Sequence, residues 1–127
     1  MIRTSAGRDW MCRSMADTAS DATGIYAPAN YIALSTDPTA PSAASTVLAG
    51  ELLGGTLVRA RASYAHTNGT ASYTLIRAFT SDRIASVLKY GVFNAPTGGT
   101  LCFEQAFPEA VPLKVGDTVQ VVDTISI

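Results

Sequence analysis

Apolar and polar residues alternate with a period of two along most of this chain, and Gly, Asn, Asp and Pro interrupt the alternation at short intervals. That period puts successive side chains on opposite faces of a strand. Residues 30–35 (NYIALS) are a short run of β type. Residues 37–45 carry Pro38 and Pro41 among Ser, Ala and Thr and read as a loop. Residues 46–53 fit either a strand or one helical turn, and Gly54-Gly55 opens a long strand.

The clearest local signal is Asn68-Gly69, flanked by alternating runs at 57–66 and 72–80. With those two residues as the turn, Tyr64 faces Tyr73, Ala62 faces Leu75 and Val58 faces Phe79. One face of the hairpin is then apolar apart from Arg77 opposite Ala60. The other carries Arg59, Arg61, Ser63, Thr74 and Ile76. A one-residue slip would exchange the faces, so the pattern specifies the register. A second hairpin joins 85–93 to 100–107 through the loop 94–99, which sets Val92 against Leu101, Tyr90 against Phe103 and Lys89 against Glu104. Pro108 and Pro112 break the chain, Gly116-Asp117 turns it, and 118–127 (TVQVVDTISI) closes the domain with Val119, Val121, Ile125 and Ile127 on one face. Six to eight short strands with turn chemistry between them predict an all-β domain, a single β-sandwich of jelly-roll-like type. The repeated phrase GGTL at 54–57 and 98–101 is turn chemistry rather than a duplication.

Residues 1–24 differ from this body. They are rich in Ser, Thr, Ala and Asp, and Asp9 caps at most one helical turn that puts Met11 and Met15 on one side. The expected organisation is an extended N-terminal arm, 1–24, ahead of a sandwich body, 25–127. Arg3, Arg8 and Arg13 recur every five residues, a spacing that matches neither a helix face nor a strand face. An arm laid over a partner surface would use each guanidinium separately and anchor on Trp10. On that reading the body folds without the arm.

Composition narrows the function classes. The chain has 127 residues, 47% apolar and only 15% charged, with a net charge of −1. That excludes disorder and argues against a nucleic-acid partner, which calls for a basic surplus. No run of about 20 apolar residues is present, so no helix is predicted to span a membrane. So charge-poor a domain is expected to cover part of its surface with partners. Cys12 and Cys102 make no disulfide scaffold, residues 1–9 lack the form of a signal peptide, and free thiols in a protein made in a cytoplasm are expected.

Candidate chemistry is sparse. The single histidine, His66, sits beside the hairpin tip and reads as a solvated surface residue rather than a triad member. Glu104, Glu109, Asp117 and Asp123 are scattered, no phosphate loop occurs, and Asp17 with Asp21 is too sparse for calcium. No catalytic residue, cofactor or metal site is predicted. Arg77, alone on an apolar face, must reach a rim or a partner.

The runs ANYIALST (29–36), LAGE (48–51), GGTLVRA (54–60), YAHTNGTASYTL (64–75), GVFNAPTGGTLCFE (91–104) and VGDTVQVVDTISI (115–127) resemble a family of small tailed-bacteriophage structural proteins. Members carry tail-fibre descriptions, and some resemble capsid decoration, or cement, proteins. The resemblance covers roughly residues 25–127 and brings no catalytic residues. It implies a non-enzymatic virion protein, foremost a decoration protein on the capsid exterior. Its expected partners are the major capsid protein and further copies of itself, with a trimer as the first choice. The interface is expected to use Arg3, Arg8, Trp10, Met11, Arg13, Met15 and Arg77. The alternative is a tail or head fibre or glycan-binding module, for which Tyr26 and Tyr31 are the aromatic candidates outside the paired strands.

Overall fold

The structure, a computed structural model, describes residues 1–2, 4–17 and 27–127. Seven antiparallel strands form two sheets: β1 (Tyr31–Ser35), β2 (Ala60–Arg61), β3 (Ser63–His66), β4 (Ser72–Thr80), β5 (Ala85–Phe93), β6 (Leu101–Leu113) and β7 (Thr118–Ser126). One sheet has the order β2-β1-β5-β6 and the other β3-β4-β7. Ile32, Leu34, Leu57, Tyr73, Leu75, Phe79, Val87, Val92 and Val121 fill the space between them. This is the all-β sandwich that the alternation predicts. The chain changes sheets at Ala62, whose N–H donates to Asn30 O at 2.7 Å. The long strand expected from Gly54 onward is therefore divided. Residues 54–59 are turn and irregular chain, and residues 46–53 contribute only the isolated bridge between Ser35 and Glu51.

Both hairpins keep their predicted faces, but their registers shift by two residues. Tyr64 pairs with Leu75, and His66 with Tyr73. Thr70 N–H donates to Thr67 O at 3.1 Å, and only Gly69 has a positive φ, of 87°. That is the pattern of a type II turn inside a longer loop, whereas a two-residue type I′ turn needs positive φ at both centres. Tyr64 and Tyr73 still touch diagonally, with ring centroids 5.6 Å apart. In the second hairpin Val92 pairs with Phe103 and Lys89 with Ala106, following an irregularity between Val92 and Phe93. The Lys89–Glu104 ion pair survives the shift, at 2.9 Å. Pro108 and Pro112 do not end the strand. They lie within β6, an edge strand with a second irregularity between Val87 and Lys89, where missing N–H groups cost no ladder bond.

The extended arm is also replaced. Ser5–Ala16 is a 12-residue α-helix, α1, packed against β3. Thr4 caps it by accepting from Gly7 N–H at 3.1 Å. Its last carbonyls are closed from outside the helix: Ala29 N–H donates to Met15 O at 2.7 Å and Asn30 Nδ2 to Ala16 O at 3.0 Å. Cys12 and Ala16 are fully buried in the main core, and Met15 packs against it. Arg3 and Tyr26 lie outside the described residues.

The four-stranded sheet is also covered over part of its outer face. On its outer side Ala33, Leu48 and Phe93 form a second small core, with Tyr31 and Leu101 packed against it. The covering loop is fastened by two cations. Lys89 is buried and meets Asp37 at 3.0 Å, Glu104 at 2.9 Å and Thr39 O at 3.1 Å. Arg59 forks onto both oxygens of Glu51, at 3.0 and 2.9 Å, stacks 3.4 Å from the centroid of Phe93, and donates to Ala95 O and Gly98 O. Gly91 leaves room for this layer, since a Cβ there would stand 2.8 Å from Leu101 Cδ1.

Two outcomes follow for stability. Removing residues 1–17 strips Cys12 and Ala16 from the core, so the melting temperature falls by roughly 5 °C or more; an unchanged melt would show that the helix is only an appendage. Lys89→Met leaves Asp37 and Glu104 facing each other without their cation. Its melting temperature should drop by about 5 °C or more, and limited proteolysis should cut within 37–45, which the wild type protects.

Candidate functional site

The hairpin tip is a docking point for α1. Asp9 Oδ1 accepts from Gly69 N–H at 2.9 Å and meets His66 Nε2 at 2.7 Å. The other ring nitrogen, Nδ1, lies 2.8 Å from Ser72 O. Both nitrogens thus face acceptors, and only the doubly protonated ring can donate to both. The Ser72 carbonyl and the Asp9 carboxylate accordingly raise the His66 pKa above its ordinary value. The Gly69 N–H, followed by His66, lowers that of Asp9. With its side chain only 3% exposed, His66 is a structural ion-pair member rather than the solvated surface residue expected.

Two of the expected interface arginines turn toward the same tip. Arg8 Nη2 donates to Gly69 O at 3.4 Å, and Arg13 Nη2 to Asn68 Oδ1 at 3.3 Å. Met11 is half-buried and Met15 packs on the core. Trp10 stands well out, at 68% exposure. Arg77 lies on β4 with the inward-facing positions but reaches the rim, where Nη1 approaches Arg61 O at 3.5 Å and the guanidinium stands 5.7 Å from the Phe79 ring centroid. The helix therefore gathers Arg8 and Arg13 on the turn and leaves Arg77 separate. Tyr31 is engaged as well, its hydroxyl accepting from Arg61 Nη2 at 2.7 Å. Both cysteines are free. Among the described residues no group of three or more His, Cys, Asp or Glu side chains is placed to hold a metal.

The opposite side of the sandwich, where β6 and β7 form neighbouring sheet edges, shows a feature that sequence reading missed. A cleft of about 490 Å³ opens there, lined by Tyr90, Gln105, Phe107, Pro108, Gln120 and Val122 among others. Tyr90 and Phe107 pack with centroids 5.3 Å apart. Behind them Asp123 and Tyr90 share a hydrogen bond between the sheets; burial raises the carboxyl of Asp123, and the bond to Tyr90 pulls it partly back. Strand alternation also leaves every outward side chain of β3, β4 and β7 uncharged, from Ser63 and Ala65 through Thr74, Ile76 and Ala78 to Val122 and Thr124. The signal was present in the even positions of 118–126, but only the topology shows that they border a free edge.

A family model described as Podophage GP4 fiber I protein gp80 matches residues 8–126. No curated protein and no solved structure gives a significant match.

The Asp9–His66 pair predicts a pH dependence of α1 docking. Asp9, lowered in the fold, contributes above its ordinary value of 3.8 and loses that contribution as pH falls through its lowered value. His66, raised in the fold, contributes fully below 6.5 and loses it as pH rises through its raised value. The pair therefore stabilises most between those limits. In thermal melts the wild type should lose more stability than Asp9→Asn as pH rises above 6.5; parallel curves would show that the pair is not coupled to folding.

Proposed function

Because the chain belongs to the podophage GP4 fiber I protein gp80 family, we propose that it is a building subunit of a phage fibre. Membership identifies it as a component of the virion and as a structural protein rather than a member of a known enzyme family. The single observation that carries the finer reading is the reach of the match. Residues 8–126 include most of α1 and all seven strands, so on this reading the whole sandwich, and not one motif within it, is the fibre unit.

The architecture suits that role. A fibre subunit must hold its shape outside the cell and present surfaces to its neighbours; it needs no reacting group. Here the charged side chains that enter the fold are spent on fastening loops and the helix, as with Lys89, Arg59 and Asp9. The outward face of the β3-β4-β7 sheet is neutral. The family description favours a fibre over a decoration protein on the capsid lattice, and it makes further fibre subunits the first partners to seek. Trp10, exposed on α1, is the aromatic best placed to meet another chain.

Immunogold labelling of intact virions with antibody against the sandwich tests this, together with the copy number per particle from quantitative mass spectrometry. Labels confined to fibres, at a few copies per fibre, support the reading. Labels spread over the capsid shell, at a copy number matching its lattice positions, would replace it with the decoration role.

A further inference from the structure

Each sheet of a sandwich ends in edge strands, and proteins ordinarily protect such edges against pairing with other chains. Three of the four edges here are protected. The edge at β2 is only two residues long before the chain leaves for the other sheet. α1 packs against β3. β6 carries Pro108, Pro112 and two irregularities of register. β7 has none of these devices. It is nine residues long, regular in its pairing with β4, free of Pro and Lys, and, among the described residues, unpaired on its other side.

The backbone of β7 shows which groups are available. Ile127 N–H donates to Ala71 O at 2.8 Å, and Ser81 N–H donates to Asp117 O at 2.7 Å. Both bonds lie on the register that pairs Tyr73 with Ile125 and Leu75 with Asp123. In an antiparallel ladder hydrogen-bonded pairs recur at every second residue. The odd-numbered residues of β7 therefore bond to β4. Thr118, Gln120, Val122, Thr124 and Ser126 turn their N–H and C=O groups away from the sheet. All but Gln120 and Val122 carry hydroxyls, all five are exposed, and Val122 at their centre is 55% exposed.

We infer that β7 pairs with β7 of a second copy of this chain, antiparallel about a two-fold axis at Val122, to make a continuous six-stranded sheet. Val122 is the middle residue of Thr118–Ser126, so an axis there uses the whole strand. Gln120 then faces the partner's Thr124, and Thr118 faces the partner's Ser126. Every one of these is a hydrogen-bonding position on both strands, so donors meet acceptors along the full length. The outward side chains meet as Val on Val, amide on hydroxyl and hydroxyl on hydroxyl. No like charges oppose one another, because the outer face of this sheet has no charged side chain. The one acid of β7, Asp123, turns between the sheets toward Tyr90. The added strand also runs past the mouth of the cleft, beside Gln120 and Val122, which line it. An isologous contact of this kind joins subunits in pairs, and it stands on the fold whether or not the fibre reading holds.

The test uses the full chain in sedimentation-velocity runs over a range of concentrations, with Val122→Lys, Val122→Glu and their mixture. Position 122 points to solvent, so either variant should keep the wild-type melting temperature. The wild type should show a concentration-dependent dimer. Each variant alone, with two like charges at the axis, should weaken it by about tenfold or more. Mixing the two variants should restore it, because the charges are then opposite. A wild type that stays monomeric at all concentrations overturns the inference. So does a dimer that persists unchanged in both variants, or a mixture no tighter than either variant alone.

Discussion

The ion cluster at Lys89 sets the asymmetry on which the rest of the molecule depends. A buried ammonium is tolerated only when carboxylates and carbonyls replace its water, and Asp37, Glu104 and Thr39 O supply all that replacement. The two acids come from different places, one from the loop after β1 and one from β6. Holding both to a residue of β5 lays the loop over the outer face of the four-stranded sheet. Glu104 extends the tie by accepting from Ser42 N–H at 3.2 Å. The cluster raises the pKa of Lys89 and lowers those of its partners, so all three stay charged across the ordinary pH range. Arg59 does the same at the other end of the loop, with Glu51 and the carbonyls of Ala95 and Gly98. One sheet therefore carries a small second core on its outer face. The other has a single covered face.

How far the sequence revealed this depended on the range of the interaction involved. Strand faces were legible because alternation is a property of neighbouring residues, and a register error of two residues leaves it intact. The registers themselves were not. The Asn68-Gly69 turn sits inside a longer loop, and the irregularity near Phe93 adds a residue on one strand, neither of which alternation records. Lys89 and Glu104 were correctly brought together even so, because diagonal neighbours still lie within reach of long side chains. Asp37, the third member, comes from a loop whose path no periodicity describes.

The helix was the larger omission, and its cause is physical. Ser5–Ala16 contains Gly7, Asp9, Trp10, Cys12 and two serines, few of them strong helix formers, and only Cys12 and Ala16 are buried. Its stability comes from groups elsewhere in the chain. Asp9 reaches His66 and Gly69, while Ala29 and Asn30 close the C-terminal carbonyls. Taken alone, the segment has little reason to be helical. Docked, it places Arg8 and Arg13 on the hairpin tip, where each donates to an acceptor of the same domain. Trp10 keeps the outward position that the sequence suggested for it.

The distribution of edge protection then becomes informative. The fold has the means to blunt an edge, since β6 carries two prolines and two irregularities and β3 is covered by a helix. β7 follows β6 after a single turn in the same chain, yet it is regular, carries no charge on its outward face and, among the described residues, has no partner on its outer edge. In a protein that worked as an isolated monomer, a nine-residue open edge beside a charge-free sheet face would be a standing hazard of uncontrolled pairing. Under the proposed pairing the same surface is occupied by a second copy in the assembled state. The hazard is then confined to the interval before assembly, and the low charge content ceases to be anomalous. Charges would have to be desolvated at every subunit contact, whereas hydroxyls, amides and small apolar groups are not penalised in this way. On the pairing proposed for β7, the composition and the open edge have one physical cause: a surface that a second copy covers.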